Sequence, residues 1–139
     1  MAHTIHVDIV SPEGQLFSGE ASMVFAPAVN GEIGIAPRHA PLLTTLKPGE
    51  VRVQVEGEEE HLFYVGGGAL EIQPHGVSIL ADTAARARDL DEAAALHAKA
   101  QAEEAMRTNT HKIHIAEATA ELARAVAQLR TIERLRKRR

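Results

Sequence analysis

Every glycine and every proline of this chain lies in its first 76 residues. The 10 Gly, the 6 Pro and the four Phe and Tyr side chains all precede Val77, and Ala is frequent in the rest of the 139 residues. Gly and Pro shape turns and interrupt helices, whereas Ala has the highest helix propensity. The chain therefore predicts a turn-rich first part and a helical second part.

The first part has the alternation of half-buried strands. Apolar and polar side chains alternate over residues 5–10 and 51–55, and turn sequences such as Asn30-Gly31 recur about every 8–12 residues. This spacing predicts an antiparallel sandwich or barrel. No crossover helix separates the strands, which disfavours a parallel sheet.

Gly66, Gly67 and Gly68 form a triplet that invites comparison with a phosphate-binding loop. Such a loop would continue with Lys and Ser or Thr and would open a helix, and this sequence has neither feature. The triplet predicts a strand bulge or a close crossing of two backbones instead.

The second part predicts two helices. Asp89 is the expected N-cap of the first helix, with Glu92 as its capping-box partner, and this helix is expected to run to Met106. The polar residues 108–110 form a break of the kind that joins antiparallel helices. The second helix has a seam of apolar residues spaced alternately by three and four, made of Ile115, Ala118, Leu122, Ala125, Leu129 and Ile132.

The expected fold class is α+β, with an N-terminal antiparallel β-sandwich followed by a C-terminal antiparallel two-helix hairpin. The sandwich is expected over residues 1–83, a linker over 84–90 and the hairpin over 91–139. Because each Ala buries little area, the hairpin should be marginally stable alone. It should therefore change shape or pack on another surface.

Charge divides the chain at nearly the same place. Residues 1–83 contain 3 Lys and Arg against 11 Asp and Glu, whereas residues 84–139 contain 12 against 8. The asymmetry predicts two modules with different surroundings. The absence of Cys excludes disulfides, thiolate catalysis and Cys-based zinc sites. No apolar run approaches the length of a membrane helix and no signal peptide is apparent, so we expect membrane association only through another subunit.

Some residue groups leave alternatives open. His111, His114 and Glu117 could share a helical face and bind zinc, although their setting is polar and exposed. The basic segment 130–139 is compatible with a solvated helix end, with nucleic-acid binding or with docking on an acidic protein surface. No arrangement typical of an enzyme is present, so we expect no catalytic residue and no metal.

Several motifs occur in an order that resembles one protein family. They are Phe17-Ser18-Gly19, residues 31–35 (Gly-Glu-Ile-Gly-Ile), 37–44 (Pro-Arg-His-Ala-Pro-Leu-Leu-Thr), 47–49 (Lys-Pro-Gly), 66–68 (Gly-Gly-Gly), 80–84 (Leu-Ala-Asp-Thr-Ala) and 89–93 (Asp-Leu-Asp-Glu-Ala). Together they cover nearly the whole chain and resemble the epsilon subunit of bacterial F-type ATP synthases. The resemblance implies the same architecture, a β-sandwich followed by a helical hairpin.

The resemblance implies a non-catalytic rotor subunit on the cytoplasmic side of the bacterial inner membrane. Such a subunit binds the gamma subunit and the c-ring and couples proton flow to ATP synthesis. By position, Glu32 corresponds to the residue that faces the c-ring, and His39 and Thr44 correspond to positions that face gamma. The alternative is a stand-alone β-sandwich adaptor whose basic tail binds nucleic acid.

The resemblance also implies that the hairpin inhibits ATP hydrolysis. A folded hairpin leaves hydrolysis free, whereas an extended hairpin inserts among the catalytic alpha and beta subunits and meets an acidic segment of beta. The residues that correspond to this contact are Thr108, Asn109, Arg124, Arg130, Arg134, Arg136, Lys137, Arg138 and Arg139.

One position departs from the family pattern. Members that bind ATP have Asp-x-x-Arg-Ala at the start of the first helix, and here Ala94 occupies the place of the Arg in the segment Asp91-Glu92-Ala93-Ala94-Ala95. Without that cation a triphosphate loses a charge-assisted hydrogen-bond partner. We therefore expect weak or absent ATP binding and no cofactor.

Overall fold

The computed structural model describes residues 3–108 and 111–138. Its strands are β1 (Ile5–Ser11), β2 (Gly14–Ala21), β3 (Met23–Ala28), β4 (Gly31–Ile35), β5 (Leu42–Gln54), β6 (His61–Gln73), β7 (Gly76–Ala81) and β8 (Ala84–Arg86). A short 3-10 helix (Ala87–Asp89) leads to the helices α1 (Glu92–Thr108) and α2 (Lys112–Lys137). The predicted fold class, a β-sandwich followed by two helices, is confirmed.

The strands pair in the order β2-β1-β7-β6-β5-β3-β4, and β8 pairs with β6. The two longest strands, β5 and β6, have 13 residues each. One end of their pair continues into β7, β1 and β2, and the other end continues into β3 and β4. Both layers of the sandwich therefore share β5 and β6, and the enclosed core includes Ile5, Val7, Ile9, Val24, Ile35, Val51, Phe63, Leu70, Ile72 and Ile79.

One strand pair differs from the sequence-based expectation. The sequence predicts an antiparallel sandwich and disfavours a parallel sheet, yet β1 pairs in parallel with β7, with Val7 opposite Val77 and Ile9 opposite Ile79. These strands are far apart in sequence, and five intervening strands bring the chain back to β1. The crossover rule applies to strands joined by one direct connection and so does not exclude this pair.

The glycine triplet lies at a close backbone crossing, one of the two predicted alternatives, and β6 keeps its register with β5 and β7 there without a bulge-type shift. Gly67 and Gly68 have φ values of +108° and +136°, which side chains rarely tolerate. A Cβ on Gly68 would overlap the carbonyl oxygen of Leu80 and lie 2.9 Å from the Cα of Ala81. The glycines thus let β6 pass against the end of β7 at the point where the two layers join.

Residues 84–90, predicted as a linker, contain β8 and the 3-10 helix and lie against the sandwich. The Arg86 guanidinium donates to the carbonyl of Leu16 at 2.8 Å and lies 5.4 Å from the centroid of the Phe63 ring. The prediction that Asp89 is the N-cap of α1 is wrong, because Asp89 belongs to the 3-10 helix. Asp91 has that role, since its carboxylate accepts a hydrogen bond from the Ala94 amide at 3.1 Å.

The two helices form an antiparallel hairpin, and α2 lies between α1 and the sandwich. All six residues of the predicted seam on α2 are buried or half-buried. The fully buried side chains of α1 are Ala95 and Ala102, so the helices approach through small residues. The predicted seam is confirmed, although α1 runs two residues beyond Met106.

The crowding at Gly68 makes a stability prediction. Gly68→Ala should lower the free energy of unfolding by about 3 kcal/mol, because the new methyl group collides with the backbone of Leu80 and strains a positive φ. Gly57→Ala is the matched control: its φ is +80° but nothing lies within 4 Å of the added Cβ, so about 1 kcal/mol is expected. Urea unfolding of both variants measures the difference, and equal losses would contradict the crossing as the cause.

A polar cluster joins β1 to β2 on the outer surface. The ring nitrogens of His6 lie 2.7 Å from Glu20 and 3.2 Å from Asp8, and the Thr4 hydroxyl donates to Glu20 at 2.9 Å. The hydrogen bond with Glu20 raises the pKa of His6, and the same bond lowers the pKa of Glu20. Protonated His6 and ionised Glu20 therefore stabilise the strand pair together.

This cluster predicts how stability depends on pH. Because the pKa of His6 is raised above its ordinary 6.5 on folding, its contribution is complete below that pH and disappears as the pH rises through the folded pKa. Urea midpoints of the parent chain should fall as the pH rises from 6.5 through the raised pKa of His6, and His6→Gln should remove part of that fall. His3→Gln is the control. A fall in His6→Gln as large as in the parent chain would refute the assignment.

Candidate functional site

A second face of α2, which the seam does not include, lies on the sandwich. We call it the docking face; its residues, again spaced by three and four, are Arg124, Ala127, Thr131, Arg134 and Arg138. Thr131 is completely buried and its hydroxyl donates to the Ala127 carbonyl at 2.8 Å. The Arg124 side chain covers Gly66, where a Cβ would lie 3.4 Å from the Arg124 Cδ. Helix α2 is therefore contacted on two sides.

Ion pairs anchor the carboxyl end of the docking face. The Arg134 guanidinium donates to the carboxylate of Glu50 on β5. The Arg138 guanidinium lies 3.8 Å from the carboxylate of Glu60 and donates to the Glu60 backbone carbonyl. Both acids belong to the sandwich, so the two contacts attach the end of the hairpin to the first domain.

Two further cations of the same helix end contact acids on the hairpin itself. Arg136 lies 2.8 Å from Glu92 at the start of α1, and this hydrogen bond, with the charge of Glu92, raises the pKa of Arg136. Lys137 lies 3.7 Å from Glu133, one turn earlier in α2. Four of the predicted inhibitory cations are therefore engaged within the chain.

The other predicted inhibitory residues have different settings. Arg130 is exposed beside the groove described below, and Arg124 is half-buried over Gly66. Thr108 is the last residue of α1, and its hydroxyl donates to the Glu104 carbonyl at 3.0 Å. Asn109 and Arg139 lie outside the described residues.

Glu32, the predicted c-ring contact, lies on β4 with half of its side chain exposed. Arg52 binds its carboxylate at 3.1 Å, lies 4.1 Å from the centroid of the Phe25 ring and also lies 3.6 Å from Glu60. A groove of about 490 Å³ separates this edge from α2, and its lining includes Glu32, Lys47, Pro48, Leu122, Val126 and Arg130. Glu32 is thus positioned by a half-buried cation at an open edge of the sandwich.

The structure separates the two predicted gamma contacts. His39 lies in the loop between β4 and β5, and its Nδ1–H donates to the Ala40 carbonyl at 2.7 Å. The amide of Arg38 donates to the Pro74 carbonyl at 2.9 Å, which fixes this loop to the turn between β6 and β7. Thr44 is opposite the buried Leu70 and is half-buried on the core side of β5. Of the two residues, only His39 therefore lies in a surface loop, whereas Thr44 lies within β5.

The outer sheet face next to Thr44 has apolar residues that the sequence analysis did not select. Leu43 is 72% exposed on β5 and Leu80 is 54% exposed on β7. The register places Leu43 opposite Glu71 and Leu80 opposite Ala69, so both leucines lie on the same face across β6. A signal was present: a Leu42-Leu43 pair in a strand must put one leucine on each face.

The His, Asp and Glu side chains of the described residues are not grouped as metal ligands. Among residues 3–108 and 111–138, no group of three His, Asp or Glu side chains could hold a metal ion. His114 Nδ1 lies 4.0 Å from Glu117, and the His111 and His114 rings are 5.7 Å apart. Within the same ranges, no helix is long and apolar enough to span a membrane.

Comparison with known proteins follows this architecture closely. The family model for the beta-sandwich domain of the ATP synthase delta/epsilon chain matches residues 4–87, and the model for the long alpha-helix domain of that chain matches residues 88–133. A protein of Halorhodospira halophila named ATP synthase epsilon chain is 62% identical, with 97% of this chain and 96% of the relative covered. One of the same name from Nitrosococcus oceani is 61% identical, with 99% and 98% covered.

Solved structures share the fold at low sequence identity. A chain in the mitochondrial ATP synthase of Euglena gracilis has a TM-score of 0.83 and 16% identity, covering 93% of this chain and 81% of that chain. A chain in the central stalk and c-ring of the Tetrahymena thermophila enzyme has a TM-score of 0.63 and 12% identity, covering 92% and 96%. The arrangement of sandwich and helices thus persists where most side chains have changed.

Proposed function

Because the chain belongs to the ATP synthase delta/epsilon chain family, we propose that it joins the gamma subunit to the c-ring and restrains ATP hydrolysis through its hairpin. It is a non-catalytic subunit of ATP synthase. The observation that carries the proposal is similarity along the whole chain, since relatives about 60% identical cover nearly all of it. The alternative of a nucleic-acid-binding adaptor is not supported, because the basic tail belongs to the same continuous match.

For gamma, the exposed leucines supply the apolar contact that a permanent subunit interface needs. Leu43 and Leu80 lie on one outer face, and His39 lies on the loop that precedes β5. Exposed apolar side chains that share one face of a sheet are typical of protein interfaces. We assign gamma binding to this face, with His39 at its margin, and Thr44 lies next to Leu43 in β5 with its side chain on the opposite side of the strand.

For the c-ring, Glu32 provides an exposed carboxylate at the edge of the sandwich. Arg52 holds it in place, and Lys47 lines the same groove. Such a polar edge suits contact with the polar loops of a membrane-embedded ring. As part of ATP synthase the chain belongs to a membrane-associated complex, and we place it on the cytoplasmic face of the bacterial inner membrane.

For inhibition, the cations of α2 provide the means to bind an acidic segment of the catalytic beta subunits. The carboxyl half of α2 contains Arg130, Arg134, Arg136, Lys137 and Arg138. In the folded hairpin most of these charges contact acids of the same chain. Binding to the catalytic head therefore requires that the hairpin leave the sandwich; Thr108 is the last residue of α1, and Asn109 lies outside the described residues.

A truncation tests the division of labour between the domains. All members of the main hydrophobic core lie between Ile5 and Ala81, so residues 1–90 retain the core together with β8 and the 3-10 helix. Added to a catalytic head depleted of this subunit, the full chain should lower ATP hydrolysis, whereas residues 1–90 should bind without lowering it. If both bind and neither inhibits, the hairpin is not a brake.

Nucleotide affinity tests the consequence of Ala94. Titration of the full chain with ATP in a calorimeter should give no affinity tighter than about 1 mM, because the first turn of α1 lacks the expected cation and the nearby Arg136 is already paired with Glu92. Ala94→Arg should gain about tenfold in affinity through one charge-assisted hydrogen bond. Micromolar binding by the parent chain would refute this proposal.

A further inference from the structure

The docking face of α2 meets the sandwich through small residues and arginines, and the half-buried Leu135 beside it lines a cavity with His61 and Leu62. Only two of its residues, Ala127 and Thr131, are fully buried, and both are small. Its other members are arginines, and two of these contact sandwich carboxylates. The ion pairs to Glu50 and Glu60 therefore contribute to the attachment of the hairpin, beside the apolar side chain of Leu135.

Side chains of the sandwich hold Glu60 in place independently of Arg138. The side-chain amide of Gln54 donates to one oxygen of Glu60 at 2.9 Å, and Arg52 lies 3.6 Å from the same oxygen. The other oxygen faces Arg138 at 3.8 Å. The side chains of Glu60 and Arg138 are only 24% and 21% exposed, so salt screens this pair less than a fully exposed one.

Glu50 is also better buried than the cation that it binds. Its side chain is 16% exposed, whereas that of Arg134 is 47% exposed. The acceptor is thus part of the sandwich surface, and the arginine is free to leave it with the helix. Glu50 and Glu60 are separated from their arginines by 84 and 78 positions, so the pairs exist only in the folded hairpin.

We infer that Glu50 and Glu60 form a latch that holds the hairpin on the sandwich by occupying Arg134 and Arg138. The inference rests on the proposed function for its consequence: each arginine can bind either its sandwich carboxylate or an acidic segment of the catalytic head, but not both. The latch sets how often the hairpin is released, because the two sets of partners compete for the same guanidinium groups.

The first experiment removes the acceptors and leaves the cations intact. The full chain has no Cys, so Val29→Cys and Ala116→Cys allow two spin labels to report the distance between the sandwich and α2. In this background, Glu50→Gln with Glu60→Gln should raise the ratio of released to folded hairpin between about threefold and tenfold. Glu13→Gln with Glu56→Gln, which changes the net charge equally at two exposed carboxylates, should leave the ratio unchanged.

A charge exchange separates specific pairing from a general loss of negative charge. Arg134→Glu alone should release the hairpin, and Glu50→Arg combined with Arg134→Glu should return the label distances toward those of the parent chain. Distances in the acceptor variant that match those of the parent and the control overturn the latch. Failure of the exchanged pair to restore folding also overturns it.

The catalytic head then distinguishes the latch from the function on which it rests. Glu50→Gln with Glu60→Gln should inhibit ATP hydrolysis at a concentration lower than that of the parent chain by the same factor as the change in label ratio. Released hairpins that do not inhibit support the latch and refute the proposed brake. If the parent chain inhibits but the label distances in the variant with Glu50→Gln and Glu60→Gln match those of the parent, the latch is refuted and the brake remains intact.

Discussion

The close passage of β6 against β7 at Gly66–Gly68 is the constraint on which the rest of the structure depends. Neighbouring atoms fill the space that a side chain would take at these positions. A Cβ on Gly68 would overlap the Leu80 carbonyl, and one on Gly66 would lie 2.8 Å from the Tyr64 hydroxyl. Around this passage β6 pairs with β5 along nearly its whole length and with both β7 and β8 on its other edge. The passage also leaves a shallow surface over which the Arg124 side chain passes. The three glycines therefore permit close packing of β6 against the end of β7, and they also form part of the surface on which α2 lies.

That surface explains how the hairpin can be both ordered and releasable. Burial of an alanine methyl group contributes about 0.8 kcal/mol, and an exposed ion pair contributes at most about 1 kcal/mol. A docking face with Ala127 and two arginine–carboxylate pairs therefore binds by a few small contributions. A row of leucines in the same positions would make release far more costly. The sequence of the docking face thus suits an element that leaves its site and returns.

The two faces of α2 show what the sequence reveals and what it conceals. The seam from Ile115 to Ile132 is readable because apolar residues at helical spacing have one common cause, burial against another helix. The docking face has the same spacing, but its arginines resemble a solvated surface until Glu50 and Glu60 are in place. Those partners come from β5 and the segment before β6, and no local pattern connects them with the end of the chain. Asp91 replaced Asp89 as the cap for a related reason, since β8 and the 3-10 helix displaced the start of α1 by tertiary pairing.

The site residues follow the same division between motif and contact. Glu32 and His39 are recognisable from contiguous motifs, whereas Arg52 has no motif and is found only from its contacts. Its guanidinium binds Glu32 at 3.1 Å and lies 3.6 Å from Glu60, which in turn faces Arg138. Arg52 contacts both Glu32 and Glu60, and Glu60 contacts both Arg52 and Arg138. The charges at the Glu32 edge and at the end of α2 are therefore not independent. A change of position at Arg52 alters the field at both, because its side chain is only 18% exposed and water screens it incompletely. Electrostatic interactions thereby connect the edge of the sandwich with the hairpin, although the composition of the chain divides it sharply into these two parts.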